Sequence, residues 1–367
     1  MSEARGGSSA AAPPRGKGGG LRTVAAIGAV LVLFVLGSLL SRHFYPQEGV
    51  VLAELHGRTM GTTWSARVVV PRGSEGLAEA ARAAIQESLD AVEGVMSTWD
   101  STSEVSRFNR HLATGPFPVS QPTADVVARA LRVGEATGGA FDITVGPLVD
   151  LWGFGPGDGP GTVPGAERIA RVRAHVGFRG LRVEDGPALR KRDPELRIDL
   201  SAIAKGYGVD RAAAALAGLG LPAWAVEVGG EVRVSGRRPD GSAWRIGIEA
   251  PDPEERRILH AVEVESTAVA TSGDYRNFFT ADGERFAHIL DPRTGRPVPW
   301  RGFSVTVLHP GATEADAWAT ALAVLGPEEG LEAAAREGIA VLFVLRSAPS
   351  GYEELASPAW ETAFPSP

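Results

Sequence analysis

Two short stretches hold residues whose types and spacing suit phosphate and metal chemistry. In RIDLSAIAKGYGVDRAAAAL, residues 197–216, Asp199 lies in an apolar run expected as a strand over 198–200. Ser201 and Ala202 form a small-residue turn, and Lys205 opens an Ala-rich helix. Free backbone N–H groups at a helix N-terminus favour an anion, Lys205 adds a full positive charge, and Gly206 and Gly208 let a ligand approach the backbone. Phosphate fits such a turn; the same residues also read as an ordinary strand-to-helix turn with a buried Asp cap. The second stretch, SVTVLHPGATEADAWATALAVL over 304–325, sets Asp316 and Thr320 four residues apart, on one face of a helix starting near 313 or 314. Hard oxygen ligands of this kind suit Mg2+ and not zinc or copper, with a phosphate-rich ligand supplying further oxygens.

A third candidate is His288, which alternates with apolar neighbours in a strand over 286–290 of RFAHILDPRTGRP. An imidazole there is either a proton acceptor or a packed structural histidine.

These residues need elements to position them. Residues 59–70 (TMGTTWSARVVV) read as a turn running into a strand, with Met60 and Trp64 as core candidates. Ile85, Leu89, Val92 and Val95 give helical periodicity over 77–99, ending in MSTWDSTSEVSRFN. That Ser/Thr/Asp cluster is a capped turn, or a loop that lays Trp99 on a planar ligand. A helix over 123–137 stops at Gly138-Gly139. The following AFDITVGPLVDLWGFGPG is too rich in Gly, Pro and aromatics for a regular element. It reads as a loop packed by Phe141, Trp152 and Phe154, or as a ligand wall with Asp142 aimed inward. A surface helix is expected over 163–177 and a hairpin over 181–200. From 223 onward strand signals run consecutively, which points to a mixed α+β domain with mostly antiparallel strands.

The first 50 residues differ from the rest. Residues 1–22 are Gly, Ser, Ala and Pro with Arg5, Arg15, Lys17 and Arg22, a disordered basic tail. Residues 23–40 carry no charge over eighteen positions, enough for one membrane helix, and are closed by Arg42 and His43. A cleaved signal peptide is the competing reading, but SLLSRHF offers no A-x-A-like site. The expectation is a single-pass cytoplasmic-membrane anchor with the tail in the cytoplasm and the domain, residues 51–350, on the periplasmic or extracytoplasmic side. Residues 351–367 are expected as a C-terminal tail.

The whole chain has 37 Lys+Arg and 44 Asp+Glu; setting aside five basic and two acidic residues among the first 50 leaves 32 against 42, a net charge of −10. That balance argues against nucleic acid as a partner. Cysteine is absent, which excludes disulfides, thiolate catalysis, zinc–sulfur sites and lipid attachment through Cys.

Taken in order, MGTTWS, MSTWDSTSEVSRFN, GGAFDITVGPL, IDLSAIAKGYGVD, VEVGGEV, ATSGDYRNFF, HILDPRTGRP and EADAWATAL resemble the ApbE family, the FAD:protein FMN transferases. The resemblance spans about residues 59–325. It implies an enzyme that cleaves FAD between its phosphates, places FMN on a threonine hydroxyl of an acceptor protein and releases AMP. It implies FAD contacts at Met60, Trp99, Ala140, Phe141, Asp142, Asp199, Lys205 and Leu290. It further implies magnesium ligands at Ala202 through its carbonyl, Asp316 and Thr320. A threonine hydroxyl is a weak nucleophile, so a base is required; His288 is the candidate, with Asp316 the alternative through its metal. Two other readings use the same residues: a magnesium-dependent FAD pyrophosphatase giving FMN and AMP, and a non-enzymatic FAD-binding protein. The family's lipid-modified cysteine is missing here, and Glu227 replaces its more usual uncharged polar residue.

Overall fold

The computed structural model describes residues 49–156, 162–255, 257–275, 277–347 and 351–365. The expected tail over 1–22 and anchor over 23–40 lie outside the described residues, among which no helix is long and apolar enough to cross a membrane.

The chain opens with the hairpin of β1 (Val50–Thr59) and β2 (Thr62–Pro71), closed at Met60 and Gly61, both with positive φ. Helix α1 (Glu75–Met96) buries Ala81, Ile85, Leu89, Val92 and Met96, one stripe at helical spacing. Serine side chains start the next two helices: Ser103 accepts the Ser106 N–H before α2 (Glu104–Arg110), and Ser120 the Thr123 N–H before α3 (Gln121–Ala136). The two-residue β3 (Phe117–Pro118) lies between them. The Gly- and Pro-rich segment that follows is more regular than expected. It forms a 3-10 turn at Ile143–Val145 and helix α4 (Gly146–Leu151), in which Pro147 occupies the first turn, where no N–H is needed. Helix α5 (Ala166–Arg173) and the hairpin β4 (Leu181–Glu184) and β5 (Ala188–Lys191) come next.

Residues 198–200 were expected as a strand, and the structure corrects this: the run is extended but joins no sheet. Side-chain and loop groups satisfy its backbone instead. The Asn109 amide accepts the Ile198 N–H and donates to the Ile198 carbonyl, each at 2.8 Å, and the Asp199 N–H donates to the Ile143 carbonyl at 2.7 Å.

Helix α6 (Ala204–Gly218) is followed by strands β6 (Trp224–Val228), β7 (Glu231–Ser235), β8 (Trp244–Glu249), β9 (Ile258–Val264) and β10 (Ala268–Gly273). A small sheet of β11 (Phe278–Ala281), β12 (Glu284–Asp291) and β13 (Arg296–Pro299) precedes β14 (Phe303–His309). Helix α7 (Ala312–Glu337), kinked at Gly326-Pro327, then leads to β15 (Ala340–Ser347), β16 (Gly351–Ala356) and α8 (Pro358–Ala363). The stretch from 351, read from sequence as a tail, thus supplies the last strand of the main sheet, and Trp360 of α8 is buried.

The main sheet runs β1-β2-β6-β7-β10-β14-β15-β16, and every strand pairing among the described residues is antiparallel. The mixed, mostly antiparallel α+β class expected from sequence is the class observed. Alternation divides its side chains between two cores. On β15, Val341 and Phe343 join the larger core with α1, α6 and α7, whereas Leu342 and Val344 join a second core with Trp244, Val262 and Trp360. Each such aliphatic side chain contributes about 1.5–3 kcal/mol when removed from water. A third cluster, Leu148, Trp152, Ile169 and Leu290, ties α4 and α5 to the small sheet.

Candidate active site

Helices α6 and α7 meet at their N-terminal ends, and sequence detail explains how. Asp210, one turn and a half into α6, accepts the N–H groups of Ala312 and Thr313 at 2.9 Å each and the Thr313 hydroxyl at 2.5 Å. A carboxylate from one helix therefore caps the next, and its Arg233 partner at 2.6 Å fixes it to β7. One turn along, Asp316 reaches back: its Oδ2 accepts the Gly206 N–H at 2.9 Å. Gly206 is required there, because an added Cβ would stand 2.2 Å from the Ala312 carbonyl oxygen.

Beside this junction opens a cavity of about 470 Å³, within the usual range for small-molecule sites. Its wall brings together Ala140, Phe141, Asp142, Asp199, Ala202, Lys205, His288, Leu290, Asp316 and Thr320, ten of the twelve residues singled out from sequence. Met60 and Trp99 are not in that wall. Met60 donates its N–H to Glu93 at 2.9 Å and turns its side chain toward Gly208 of α6, against the main core. Trp99 is 71 % exposed, in a turn stapled by Ser97, Asp100 and Ser103. Its neighbour Thr98 lines a second cavity of about 240 Å³, which shares Asp199 with the first.

Lys205 is the cation of the cavity wall among the described residues. Its Nζ donates to Glu231 Oε1 at 2.8 Å and to Asp316 Oδ1 at 3.4 Å. Burial alone would push this ammonium down, but the Asp316 and Glu231 carboxylates reverse that and hold it above its ordinary value. Glu231, in the same wall, is a residue that sequence reasoning missed. Burial, opposed by Lys205 and reinforced by Asp316, pushes its carboxyl up from the ordinary value. The available signal was a carboxylate directly after the paired glycines, at the start of a strand that would otherwise bury an apolar residue.

Asp199 combines the two roles that its sequence left open. Its Oδ1 accepts the Ser201 N–H at 2.8 Å, so it caps the turn, and it also lines both cavities. Burial, opposed by the Ser201 hydrogen bonds, raises its carboxyl. Asp142 is a wall anchor: Oδ1 accepts from the Thr144 N–H and hydroxyl at 2.7 and 2.6 Å, and Oδ2 from the Phe178 N–H at 2.8 Å. Glu227, the unusual residue before Gly229-Gly230, accepts the Gly230 N–H at 2.7 Å and the Ser65 hydroxyl at 3.1 Å, and so fixes the β6–β7 turn.

His288 faces the same cavity from β12. Its Nδ1 lies 3.1 Å from the Asn277 carbonyl oxygen, which can only accept, so the neutral ring carries its proton on Nδ1 and keeps a free lone pair on Nε2. Burial holds this imidazole below its ordinary value; the Asn277 carbonyl opposes that, and the Lys205 charge adds to it.

The donors suit a magnesium ion held jointly by protein and phosphate. Among the described residues no three His, Cys, Asp or Glu side chains gather for a metal. Mg2+ characteristically takes one or two carboxylates and completes its shell with water and substrate phosphates. Asp316 offers Oδ1, which makes a long 3.4 Å contact to Lys205, and Thr320 Oγ1 sits 3.3 Å from Ser272 Oγ, with Ala202 on the same wall. Lys205, Glu231 and Asp316 together sum to one negative charge when all are ionised, so a diphosphate needs a further cation beside them.

The sequence profile of the ApbE family matches residues 60–343. The chain is 44% identical over 307 residues to an FAD:protein FMN transferase of Vibrio cholerae, covering 84% of this chain and 91% of that protein. It is 41% identical over 311 residues to one of Klebsiella pneumoniae, covering 84% and 88%. Among solved structures, it resembles the flavin transferase ApbE from Vibrio cholerae with a TM-score of 0.77 and 42% identity, over 85% of this chain and 99% of that one. It also resembles the apo form of the Pseudomonas stutzeri flavinyl transferase ApbE, with a TM-score of 0.78 and 37% identity, over 88% and 100%.

Proposed function

The chain belongs to the ApbE family and transfers FMN from FAD to an acceptor protein; we propose that a threonine hydroxyl receives the FMN and that the cavity beside Lys205 is where this happens. The observation that carries the reading is the convergence, on one wall, of an ammonium, a buried carboxylate with a hydroxyl four residues on, and an imidazole with a free Nε2.

In this reading FAD lies along the cavity, with the flavin against Leu290, Phe141 and Ala140 and the diphosphate near Lys205 and the 201–206 turn. His288 Nε2 takes the proton of the threonine hydroxyl as its oxygen bonds to the phosphorus of the FMN half. The P–O bond to the AMP half breaks, and AMP leaves with the bridging oxygen. A phosphoester links FMN to the acceptor. Asp316, Thr320 and the Ala202 carbonyl would hold Mg2+, which supplies charge neutralisation across the two phosphates when bound. Lys205 adds a fixed positive charge where negative charge gathers on the leaving phosphate.

The sequence also supports an anchor over 23–40 that tethers the domain to the cytoplasmic membrane, its catalytic part on the extracytoplasmic side; the charge-free run and the basic residues before it favour that orientation. Protease protection of the full chain in right-side-out and inverted vesicles tests it.

The functional test mixes the protein with FAD, Mg2+ and a candidate redox-subunit acceptor and follows acceptor mass and AMP. An acceptor that gains the mass of FMN minus water, with AMP in equal amount, is the expected result. Free FMN and AMP beside an unmodified acceptor, repeated across flavin-bearing redox subunits, would replace the transferase reading by the pyrophosphatase one.

A further inference from the structure

The β6–β7 turn is built around the lysine stem. Gly229 takes φ +60°, and a Cβ on it would stand 3.0 Å from Thr62 Cγ2 and 3.4 Å from Lys205 Cδ, so the bare backbone lies against the lysine methylenes. Glu227 holds the turn through the Gly230 N–H and the Ser65 hydroxyl. Glu231 then starts β7 almost fully buried, 4 % exposed, with Oε1 on the lysine ammonium at 2.8 Å. Its other oxygen, Oε2, is buried without a hydrogen-bond partner among the described residues. Leaving a buried carboxylate oxygen unsatisfied is costly, and a neutral side chain would fill the place more cheaply. What the position supplies is a side-chain oxygen held on the lysine ammonium at 2.8 Å.

We propose that Glu231 is a positioning residue for transfer: with Asp316 it holds the Lys205 ammonium against the cavity wall, limiting its attraction to the ground-state diphosphate and keeping it for the charge that builds on the leaving phosphate. The inference rests on the reading of Lys205 as the diphosphate contact. An ammonium shared between two carboxylates interacts weakly with a substrate already neutralised by a metal, and more strongly as negative charge develops. That difference between states is what accelerates a reaction.

Glu231→Gln keeps the shape and one acceptor for Lys205 but removes the charge. FAD affinity, read by flavin fluorescence in EDTA so that no turnover intervenes, is expected unchanged or tighter, while kcat for acceptor flavinylation falls by at least ~10-fold with KM for FAD unchanged or lower. A purely structural role would instead weaken FAD binding and raise KM together with a lowered Tm, and would overturn the proposal; so would an unchanged kcat. Where Gln impairs folding, Glu231→Asp gives the same comparison, with charge kept and reach shortened, and a smaller kcat loss expected. Adding Glu231→Gln to Lys205→Met should cost nothing further if Glu231 acts through the lysine, and additive losses would overturn that. Lys205→Met alone with undiminished FAD binding and transfer would remove the diphosphate reading itself, a result separable from failure of the Glu231 proposal.

Discussion

The carboxylate of Asp316 accepts the backbone N–H of Gly206 at 2.9 Å, across 110 residues of sequence. One oxygen of a candidate metal ligand is thereby spent on locking α7 to the first turn of α6, and the other faces Lys205 at 3.4 Å. The helix junction and the cavity wall are thus joined through Asp316.

Gly206→Ala tests that unity. Its Cβ would fall 2.2 Å from the Ala312 carbonyl oxygen and 2.8 Å from Asp316 Cβ, so the helices must part. A stability loss of about 1–3 kcal/mol in denaturant titration is expected, together with a weaker response of transfer to added Mg2+.

Asp210→Ala removes the cap of α7 without entering the cavity wall. The N–H groups of Ala312 and Thr313 lose their acceptor, which should cost about 0.5–2 kcal/mol. Thermal unfolding measures it, and FAD affinity should change far less than stability.

His288→Asn should leave FAD binding largely intact and lower transfer by roughly 10²–10⁴-fold, the usual contribution of a positioned base. Acceptor mass measured against time separates the two quantities, and an unchanged rate would take His288 out of the mechanism.

The direction of the His288 shift sets the acid limb of the pH profile. Burial, with the Lys205 charge acting alike, lowers its pKa from 6.5 in the folded protein. The neutral, proton-accepting form therefore persists below 6.5 and is lost only as pH falls through the lowered value. The midpoint of the acid limb of kcat is expected below 6.5, and the His288→Asn protein should lack that limb.

Chelation should stop transfer and added Mg2+ should restore it. Asp316→Ala, which removes the carboxylate of the proposed ion, should abolish that rescue while FAD still binds. Transfer assayed with EDTA followed by a Mg2+ titration distinguishes the two proteins.

Much of the site was legible because its chemistry is carried by local patterns. The 3.6-residue period puts Asp316 and Thr320 on one helix face, a turn before a helix puts Lys205 in that helix's first turn, and period-two alternation puts His288 and Leu290 on one strand; the N–H groups expected free beside Lys205 are instead taken, those of Ile203 and Ala204 by the Leu200 carbonyl and that of Gly206 by Asp316. Consecutive strand signals after 223 gave the antiparallel α+β class. What sequence could not supply were facts made by residues far apart in the chain. The extended run at 198–200 lacks a sheet partner because Asn109 and Ile143 satisfy it, and nothing local announces that. Met60 can turn toward Gly208 or toward a ligand from the same tight turn, and packing against α6 decides for the former. Residues from 351 onward look like a tail until β15 offers an open edge with which β16 pairs. Glu231 reads as one carboxylate among many, and becomes distinctive only when folding buries it against Lys205 and leaves its second oxygen unpaired. The sequence by itself determined which groups and which elements exist; only tertiary structure decided which of those groups share a low-dielectric space, and it is burial that turns an ordinary Lys, Glu and His into a site.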